Sequence, residues 1–400
     1  HARDTALMLS RLHHSKTLLG TATPSIESYY QAKSGGWGLV TMTKRYLDTA
    51  LPEIILADTL KEKKQKTIRG DFSFITIQKL QDRLVRKEQS ILFQNRRGYA
   101  PILSCDECAY VPKCINCSVS LTYHLLKAEI SCHYCGHTET IPTKCPVCGS
   151  GKIKTVGYGT EKIEDDLKLI LPKARIQRMD LDSTRKKDSF KKLIQELEKG
   201  NTDILVGTQM VVKGLDFEKV TFVGVFDIDR LIHFPDFRSL EKTFQVLTQV
   251  SGRAGRRASK GEVVVQTNNP GLSIFQKVKN NDFNLFYGEE IKEREKFNYP
   301  PFVRLIKIIC KDPVEKTCLD LADEIAIQLV HSLGKKRVLG PEKPLINRIK
   351  NYFIQDIIIK LEKGKLNLPT IKGLIVETSE KALSKKEYKK SIVIFDVDPL

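Results

Sequence analysis

Four Cys-x-x-Cys pairs are the residues of this chain whose type and spacing most directly predict chemistry. Eight of its ten cysteines lie within 44 consecutive residues, all in pairs of identical spacing. The pairs are Cys105/Cys108, Cys114/Cys117, Cys132/Cys135 and Cys145/Cys148. Two thiolates on one tight turn suit tetrahedral Zn²⁺, and four pairs supply two all-thiolate sites. Because two complete sets of four sulfurs leave no coordination position open, we expect both zinc ions to be structural.

The intervals between the pairs favour a nested arrangement of the two sites. Cys117 and Cys132 are separated by 14 residues, which is ordinary zinc-ribbon spacing. We therefore expect one site from the outer pairs, Cys105, Cys108, Cys145 and Cys148, and a second from the inner pairs, Cys114, Cys117, Cys132 and Cys135. Sequential or cross-braced pairing, replacement of a thiolate by His133 or His137, and an iron–sulfur cluster are the alternatives. Gly149 follows the last pair, where a small residue lets backbone N–H groups turn toward sulfur.

Composition narrows the class of protein around this cluster. A chain of 400 residues should hold two or three domains. Its formal charge of +18 favours a polyanionic partner, most simply nucleic acid, over a merely basic globular protein. No apolar run approaches the roughly 18 residues of a membrane helix, and the start has no secretory apolar core. Cysteine pairs without an export signal favour a reducing cytoplasm and bound metal over disulfides.

Two segments place small hydroxyl residues after apolar runs that read as strand ends. The first, Leu18–Ser25, contains Thr21 and Thr23, with Pro24 near a helix start. The second, Asp203–Met210, reads as a buried strand that leads into Thr208 and Gln209, followed by Lys213. Taken singly, each segment predicts only a strand-to-helix turn.

A third segment, Gln249–Arg257, contains Gly252 and two arginines three positions apart, Arg253 and Arg256. On a helix that begins at the glycine, both arginines could face one ligand. Planar guanidinium groups suit phosphate and the charge that develops during phosphoryl transfer. The alternative is a solvated basic turn.

In this order, the three segments resemble motifs III, V and VI of superfamily 2 helicases. Further segments precede, follow and lie downstream of the cysteine cluster: Ile91–Pro101, Gly157–Glu161, Arg178–Thr184, Asp236–Arg238 and Tyr299–Phe302. This succession resembles the PriA family of primosomal replication-restart helicases over essentially the full chain. The cysteine pairs inserted between the first two of these segments are the most specific part of the resemblance.

The resemblance implies two RecA-like lobes that clamp ATP with Mg²⁺ and move along DNA from 3′ to 5′. Arg253 and Arg256, beside Gly252, would reach the γ-phosphate, with Arg256 the better finger candidate. Gln249 would help hold the nucleotide and its attacking water. The remaining implied residues are Thr21 and Thr23 as a relay between lobes, Thr208 and Gln209 as a coupling of DNA contact to the ATP site, and Lys213, Asn95, Arg96, Arg97 and Tyr99 at the DNA. Tyr99 could stack on a base or pack in a core.

One departure from the family pattern affects the expected activity. The chain contains no Gly-x-x-x-x-Gly-Lys-Ser/Thr phosphate loop, and no Asp-Glu-x-His precedes Thr21. The nearest similar segment, Gly149–Ile153, lacks the hydroxyl after its lysine. In the family both motifs lie in the first lobe, so we expect this chain to be the distal portion of a helicase that does not hydrolyse ATP by itself.

The expected fold is α/β: a RecA-like second lobe with a parallel sheet, an inserted two-zinc module and a C-terminal α+β ferredoxin-like domain. The expected domains are 1–46 (end of lobe 1), 47–103 and 151–280 (lobe 2), 104–150 (zinc insertion) and 281–400 (DNA and partner binding). In the last domain the pattern predicts strands at 302–310, 336–339, 351–361 and 391–397, with helices at 314–333 and 366–380. Cys310 and Cys318 are expected in its core.

Two other features receive structural interpretations. The charged run Lys61–Lys66 is expected to be a solvated loop. Asp227 and Asp229, at the end of a buried strand, could be catalytic, but loop structure or ion pairing with nearby arginines is favoured.

The leading hypothesis is an ATP-dependent DNA helicase that recognises stalled or branched forks and promotes loading of the replicative helicase. Its expected partners are DNA, single-stranded-DNA-binding protein, primosome proteins and the replicative helicase loader. We expect a monomer in the bacterial cytoplasm, associated with the nucleoid and not with a membrane. The alternatives are a non-catalytic zinc-ribbon scaffold derived from a helicase and a different superfamily 2 motor, which would not be expected to carry four cysteine pairs.

Overall fold

The structure is a computed structural model that describes most of the chain in ranges separated by short gaps. The described residues are 2–42, 51–94, 102–105, 112, 121–124, 129–131, 138–156, 160–179, 189–208, 219–232, 237–255, 261–344, 347–364 and 367–399. Within these ranges, every helix is too short or too polar to cross a membrane.

Helices and strands alternate along the larger part of the chain. The helices are α1 (Ala2–Leu12), α2 (Ile26–Lys33), α3 (Thr59–Gln65), α4 (Phe74–Val85), α5 (Thr160–Ile170), α6 (Ser189–Glu198), α7 (Ile228–Ile232), α8 (Ser239–Ser251), α9 (Ser273–Lys279), α10 (Phe283–Lys296), α11 (Glu315–Leu333) and α12 (Leu368–Leu383). The strands are β1 (Glu53–Asp58), β2 (Gln89–Gln94), β3 (Ile102–Cys105), β4 (Thr122–His124), β5 (Glu129–Ser131), β6 (Thr138–Thr140), β7 (Ile153–Val156), β8 (Ile176–Met179), β9 (Ile204–Gly207), β10 (Val220–Phe226), β11 (Glu262–Thr267), β12 (Val303–Asp312), β13 (Val338–Glu342), β14 (Arg348–Ile349), β15 (Tyr352–Glu362) and β16 (Ile392–Val397).

A parallel sheet forms the centre of the helicase-like part, as predicted. Its strand order is β1-β11-β10-β2-β9-β8, and every pairing along it is parallel. All seven residues of β10 are buried, because helices cover both faces of the sheet and each face has its own apolar core. Continuous apolar strands of this kind are typical of sheets buried on both sides.

The helix α2 packs into the core of the parallel-sheet domain, although the sequence groups it with the end of the first lobe. Ile26 is fully buried in the larger apolar core. Tyr29 makes edge-on ring contacts with Phe283 and Tyr287 of α10. Ser25 caps the helix by accepting the N–H of Ser28. The segment that follows the motif III-like residues is therefore anchored on the second lobe.

A buried cluster of charges reinforces this anchor. The guanidinium group of Arg294, only 1% exposed, contacts Glu241 at 2.5 Å, Glu27 at 3.1 Å and Glu290 at 3.2 Å. Glu241 also accepts the backbone N–H of Ile26 at 3.1 Å. Burial raises the pKa of Glu241 despite the attraction of Arg294. Because the partners come from α2, α8 and α10, the cluster fixes three helices together.

Arg294→Met should therefore destabilise the protein strongly. The change leaves buried carboxylates without their cation, which typically costs about 3–5 kcal/mol. Chemical denaturation measures the free energy of unfolding directly. Arg175→Met is the matched control, since Arg175 is 55% exposed in its pair with Asp203 and such pairs contribute about 1 kcal/mol or less. Equal losses in the two variants would contradict a stabilising role for the cluster.

The C-terminal domain has the predicted ferredoxin-like arrangement. Its antiparallel sheet has the order β13-β15-β12-β16, and α11 and α12 share an apolar core with it. Cys310 and Cys318 are both fully buried in that core. Burial raises the pKa of Cys310 to about 12 and that of Cys318 to about 11. Both are therefore core residues with protonated thiols, as expected.

Two local predictions were wrong. The charged run at Lys61–Lys66 is mainly the helix α3, because Asp58 accepts the N–H of Lys61 as an N-cap and Glu62 accepts the N–H of Phe74. The apolar residues before Thr21 do not form a strand within the described residues, and Leu18 is 96% exposed. A strand needs a partner for its backbone groups, and the described chain supplies none at this position.

Candidate functional site

The last cysteine pair forms a tight turn suited to a metal. The N–H of Gly149 donates to the carbonyl of Cys145 at 2.9 Å, and the N–H of Cys145 donates to the carbonyl of Ser150 at 2.8 Å. Gly149 has φ +72°, a left-handed conformation that glycine adopts without strain. Cys145 is buried and Cys148 is exposed. Two sulfurs on one such turn fit the donor set of a thiolate zinc site.

Two strand pairings of the described residues lie next to cysteines of the predicted sites. The first pair begins at Cys105, the last residue of β3, which pairs with Ile153 of β7, five residues after Cys148. In the second small sheet, Thr122 of β4 pairs with Ser131 of β5, the residue directly before Cys132. In sequence, the outer pairs therefore lie at or between the paired strands β3 and β7, and the inner pairs lie on either side of the paired strands β4 and β5, which β6 extends to a three-stranded sheet.

Most of the predicted metal ligands fall outside the described residues. These are Cys108, Cys114, Cys117, Cys132 and Cys135, together with the alternative ligands His133 and His137. Within the described ranges, no three or more His, Cys, Asp or Glu side chains lie together in a group that could hold a metal. The two-site arrangement therefore stays a prediction that rests on spacing and register.

The structure brings together two of the motif residues that are far apart in sequence. The side-chain amide of Gln249, on α8, donates to the hydroxyl of Thr23 at 3.4 Å. Thr23 is buried, and its N–H donates to the hydroxyl of Thr21 at 3.1 Å. The motif III-like loop and the motif VI-like helix are therefore in direct contact, across 226 positions of sequence.

The expected helix start at Gly252 was wrong. The helix α8 ends at Ser251, and the N–H of Gly252 caps it by donating to the carbonyl of Thr248 at 3.0 Å. Arg253 lies in the turn that follows, half-buried, and Gly255 has φ +65°. Arg253 and Arg256 therefore do not share a helix that begins at Gly252. The position of Arg256 lies outside the described residues.

Thr208, predicted to couple DNA contact to the ATP site, follows β9 at one edge of the sheet. Phe93 of β2 pairs in parallel with Gly207 of β9, so Thr208 lies level with Gln94 at the carboxyl ends of these strands. Thr208 is buried. The candidates beyond these strand ends, Asn95, Arg96, Arg97, Tyr99, Gln209 and Lys213, lie outside the described residues. Open α/β sheets bind ligands at this edge.

Thr208 does not lie beside Gly252 and Arg253. The N–H of Gly255 donates to the carbonyl of Val220, the first residue of β10, at 3.0 Å. Thr208 is level with the other end of the sheet, a separation of roughly 20 Å for a strand of this length. The geometry thus places Thr208 at the carboxyl end of β9 and separates it from the end of α8.

Asp229 has the structural role that the sequence favoured. Its carboxylate accepts the hydroxyl of Thr267 at 2.5 Å and the N–H of Asn268 at 2.7 Å. It therefore fixes the loop after β11. Asp227 adopts φ +57° at the end of β10.

Sequence reasoning gave no role to the residues that join α2 to the rest of the protein. Arg238 donates to Glu27 at 3.2 Å and to the carbonyl of Pro399 at 2.9 Å. Arg238 and Tyr299 lie in the segments Asp236–Arg238 and Tyr299–Phe302, which contributed only to the family resemblance. The presence of these segments in the family resemblance was the one sequence signal that could have singled out Arg238 and Tyr299. Their residue types gave no chemical reason to do so.

Comparison with known families divides the chain in the same order. Residues 150–258 match the helicase conserved C-terminal domain. Residues 114–139 match the PriA DNA helicase Cys-rich region domain. Residues 295–400 match the primosomal protein N C-terminal domain.

Two curated relatives with similarity over all or most of the chain are replication restart proteins. Replication restart protein PriA of Bacillus subtilis is 39% identical over 401 residues, covering 100% of this chain and 49% of the relative. Its counterpart from Synechocystis is 37% identical, covering 90% and 44%. The chain thus spans about half the length of these curated relatives. Among solved structures, Saccharomyces cerevisiae Dbp5 bound to RNA and ADP BeF3 is 12% identical, with a TM-score of 0.35, covering 72% of this chain and 58% of that one.

Proposed function

This chain belongs to the PriA family of replication restart proteins, and from this membership we propose that it acts within an ATP-dependent DNA helicase. It would supply the second motor lobe, the zinc module and the C-terminal domain. The helicase would move from 3′ to 5′, recognise stalled or branched forks and promote loading of the replicative helicase. The observation that carries the proposal is the hydrogen bond from Gln249 to Thr23, because it joins the two motor segments.

The ATP side of the proposed motor lies around this hydrogen bond. A first lobe would hold ATP with Mg²⁺ through its phosphate loop. Arg256, with Arg253 beside Gly252, would approach the γ-phosphate and stabilise the charge of the transition state. Gln249 would orient the nucleotide and its attacking water, and Thr21 and Thr23 would relay closure of the lobes.

The DNA side is proposed at the carboxyl edge of the parallel sheet. Asn95, Arg96 and Arg97 would contact phosphates, and Tyr99 would stack on a base. Thr208, Gln209 and Lys213 would follow the neighbouring strand at the same edge. The parallel register of β2 and β9 supports this grouping, as does the formal charge of +18.

We assign two structural Zn²⁺ ions to the cysteine-rich module in the nested arrangement. The register of β3 with β7 supports pairing of the outer cysteines, and that of β4 with β5 supports pairing of the inner ones. Zinc held by four thiolates would brace a segment too short to build a large core. The module would contact DNA and primosome proteins.

The remaining proposals follow from family membership. Single-stranded-DNA-binding protein, primosome proteins and the replicative helicase loader would be partners, and the protein would act as a monomer at the bacterial nucleoid. Exposed apolar side chains in residues 2–42, such as Leu18 at 96% and Val40 at 88%, support the proposal that this segment packs against the rest of a first lobe.

The direct test is ATP hydrolysis by the full-length gene product, with and without forked DNA. Turnover stimulated by the fork supports a restart helicase. A folded, zinc-loaded protein that binds forks without hydrolysing ATP would instead be a non-catalytic scaffold.

The contact between Gln249 and Thr23 gives a sharper prediction. Gln249→Ala should lower the turnover number of fork-stimulated hydrolysis about tenfold, the usual range for one lost hydrogen bond. Thr23→Val should act similarly, and the double variant should be little worse than either single one. Gln276→Ala, an exposed glutamine on α9, is the control. Additive losses would show that the two side chains act independently.

A further inference from the structure

Two segments without an assigned role meet between the motor lobe and the C-terminal domain. The ring of Phe237 stacks on that of Tyr299 with centroids 4.4 Å apart and planes 3° from parallel. The guanidinium groups of Arg238 and Arg294 lie 4.2 and 5.1 Å from the centre of the Phe237 ring. Phe237 lies just before α8, and Tyr299 lies just before β12, the first strand of the C-terminal sheet. The stack therefore forms part of the boundary between the two domains.

Arg238 connects three parts of the molecule at this boundary. It is 9% exposed and donates to the carbonyl of Pro399, next to the end of the chain, at 2.9 Å. It also donates to Glu27 of α2 at 3.2 Å. In addition, it is the N-cap residue of α8. A planar guanidinium group can hold several acceptors in one fixed geometry.

The chain end that Arg238 contacts belongs to the C-terminal sheet. The N–H of Asp398 donates to the carbonyl of Leu305 on β12 at 2.8 Å, which continues the pairing of β16 with β12. A second contact runs in parallel, since the ring of Phe302 lies 5.3 Å from that of Tyr30 on α2. A shift of the C-terminal sheet would therefore change the contacts of α2 and of the start of α8 directly.

Arg238 contacts both of the segments that carry the partners of the Gln249–Thr23 hydrogen bond. Glu27 lies four residues after Thr23, and Ile26 between them is fixed in the core. Gln249 lies in the last turn of α8, the helix whose first turn follows Arg238. The position of Arg238 thus affects both the donor and the acceptor of the Gln249–Thr23 bond.

We propose that Arg238 is a positioning residue that couples the C-terminal domain to the Gln249–Thr23 contact. Fork binding by the C-terminal domain would reach the ATP site through Pro399, Arg238 and Glu27. This inference rests on the proposed helicase function for its catalytic readout. It assigns to the segment around Pro399 a role in stimulation that no motif indicates.

The test compares three variants of the full-length gene product. Arg238→Met removes the link, and a chain ending at Asp398 removes its acceptor without changing Arg238. Arg304→Met is the control. Arg304 pairs with Asp398 at 3.6 Å, so this substitution also removes one positive charge close to Pro399. The measured quantity is the ratio of the turnover number with saturating fork to that without DNA, alongside fork affinity and the KM for ATP.

Arg238→Met and the shortened chain should each reduce the stimulation ratio about tenfold, the size of a typical coupling between sites. Neither the affinity for forks nor the affinity for ATP should decrease by a comparable factor. Combining the two changes should add little to the effect of either one. Arg238→Lys, which keeps the charge, should recover part of the ratio. An Arg238→Met protein that matches Arg304→Met, or one that loses fork affinity as much as stimulation, would overturn the proposal.

A second readout separates this inference from the proposed function. Hydrogen exchange at the amides of α2 can be followed in the 400-residue chain without ATP. Shortening the chain to Asp398 should accelerate exchange there, as should Arg238→Met, whereas Arg304→Met should not. Unchanged exchange would remove the link even if the protein is a helicase. Accelerated exchange in these variants, together with a full-length gene product that shows no ATPase activity, would overturn the helicase proposal and keep the mechanical link.

Discussion

Arg256→Ala in the full-length gene product is expected to lower the turnover number of fork-stimulated ATP hydrolysis by about 10³-fold. The guanidinium group would stabilise charge that develops on the γ-phosphate only in the transition state. The turnover number should therefore fall much more than the affinity for ATP. Steady-state kinetics at saturating fork, with nucleotide binding measured separately, distinguish these two effects.

Arg253 provides an internal comparison for this prediction. It lies half-buried in the turn after α8, so it is expected to support the turn as well as approach phosphate. Arg253→Ala should therefore lower the turnover number less, by about 10²-fold, the range for one electrostatic donor, and should also lower thermal stability. Arg86→Ala, at a residue with a 58% exposed side chain, is the control. A larger loss from Arg253→Ala than from Arg256→Ala would reverse the assignment of the finger.

Fork binding must be measured on the same variants. Both arginines are basic, and the protein carries a net charge of +18, so loss of one cation could weaken DNA association and lower stimulation indirectly. A variant that binds forks normally yet hydrolyses slowly supports a role in phosphoryl transfer. A loss of turnover that higher fork concentration restores would place the arginine at the DNA instead.

Elements with a strong local pattern were predictable from the sequence. The helix expected at 314–333 is Glu315–Leu333, and the strand expected at 351–361 is Tyr352–Glu362. The helix carries a helical apolar periodicity, and the strand is rich in β-branched and aromatic residues; the local sequence records both directly. The ferredoxin-like order followed because alternation of such elements admits few topologies.

Charged residues were harder to interpret because their burial depends on distant partners. Arg294 and Glu27 are 267 positions apart, and nothing in a helix rich in Lys, Arg and Glu distinguishes a buried arginine from solvated ones. Gly252 shows a second limit of prediction from sequence, because glycine is compatible with both ends of a helix. Whether it begins or ends α8 depends on backbone geometry that the sequence does not specify. The candidate site could therefore be predicted as a set of residues, but not as an arrangement.

Substitution of one cysteine in the zinc module is expected to remove a whole metal ion. Cys145→Ser should release one of two zinc ions per chain, because a three-thiolate site binds far more weakly than a four-thiolate one. The lost site would remove on the order of 10 kcal/mol of metal-dependent folding free energy from the module. Metal analysis of the purified protein counts the ions, and limited proteolysis between residues 104 and 150 reports the unfolding. Cys310→Ser is the control, since Cys310 is a buried core residue.

A double variant then decides the pairing of the sites. In the nested arrangement Cys105 and Cys145 bind the same ion, so Cys105→Ser combined with Cys145→Ser should still retain one zinc per chain. Sequential and cross-braced arrangements both put these cysteines in different sites, and the same double variant would then retain none. The opposite pattern is expected for Cys105→Ser combined with Cys117→Ser, which should lose both ions only if the sites are nested or cross-braced. Together the two double variants distinguish all three arrangements, because each arrangement predicts a different pair of zinc counts.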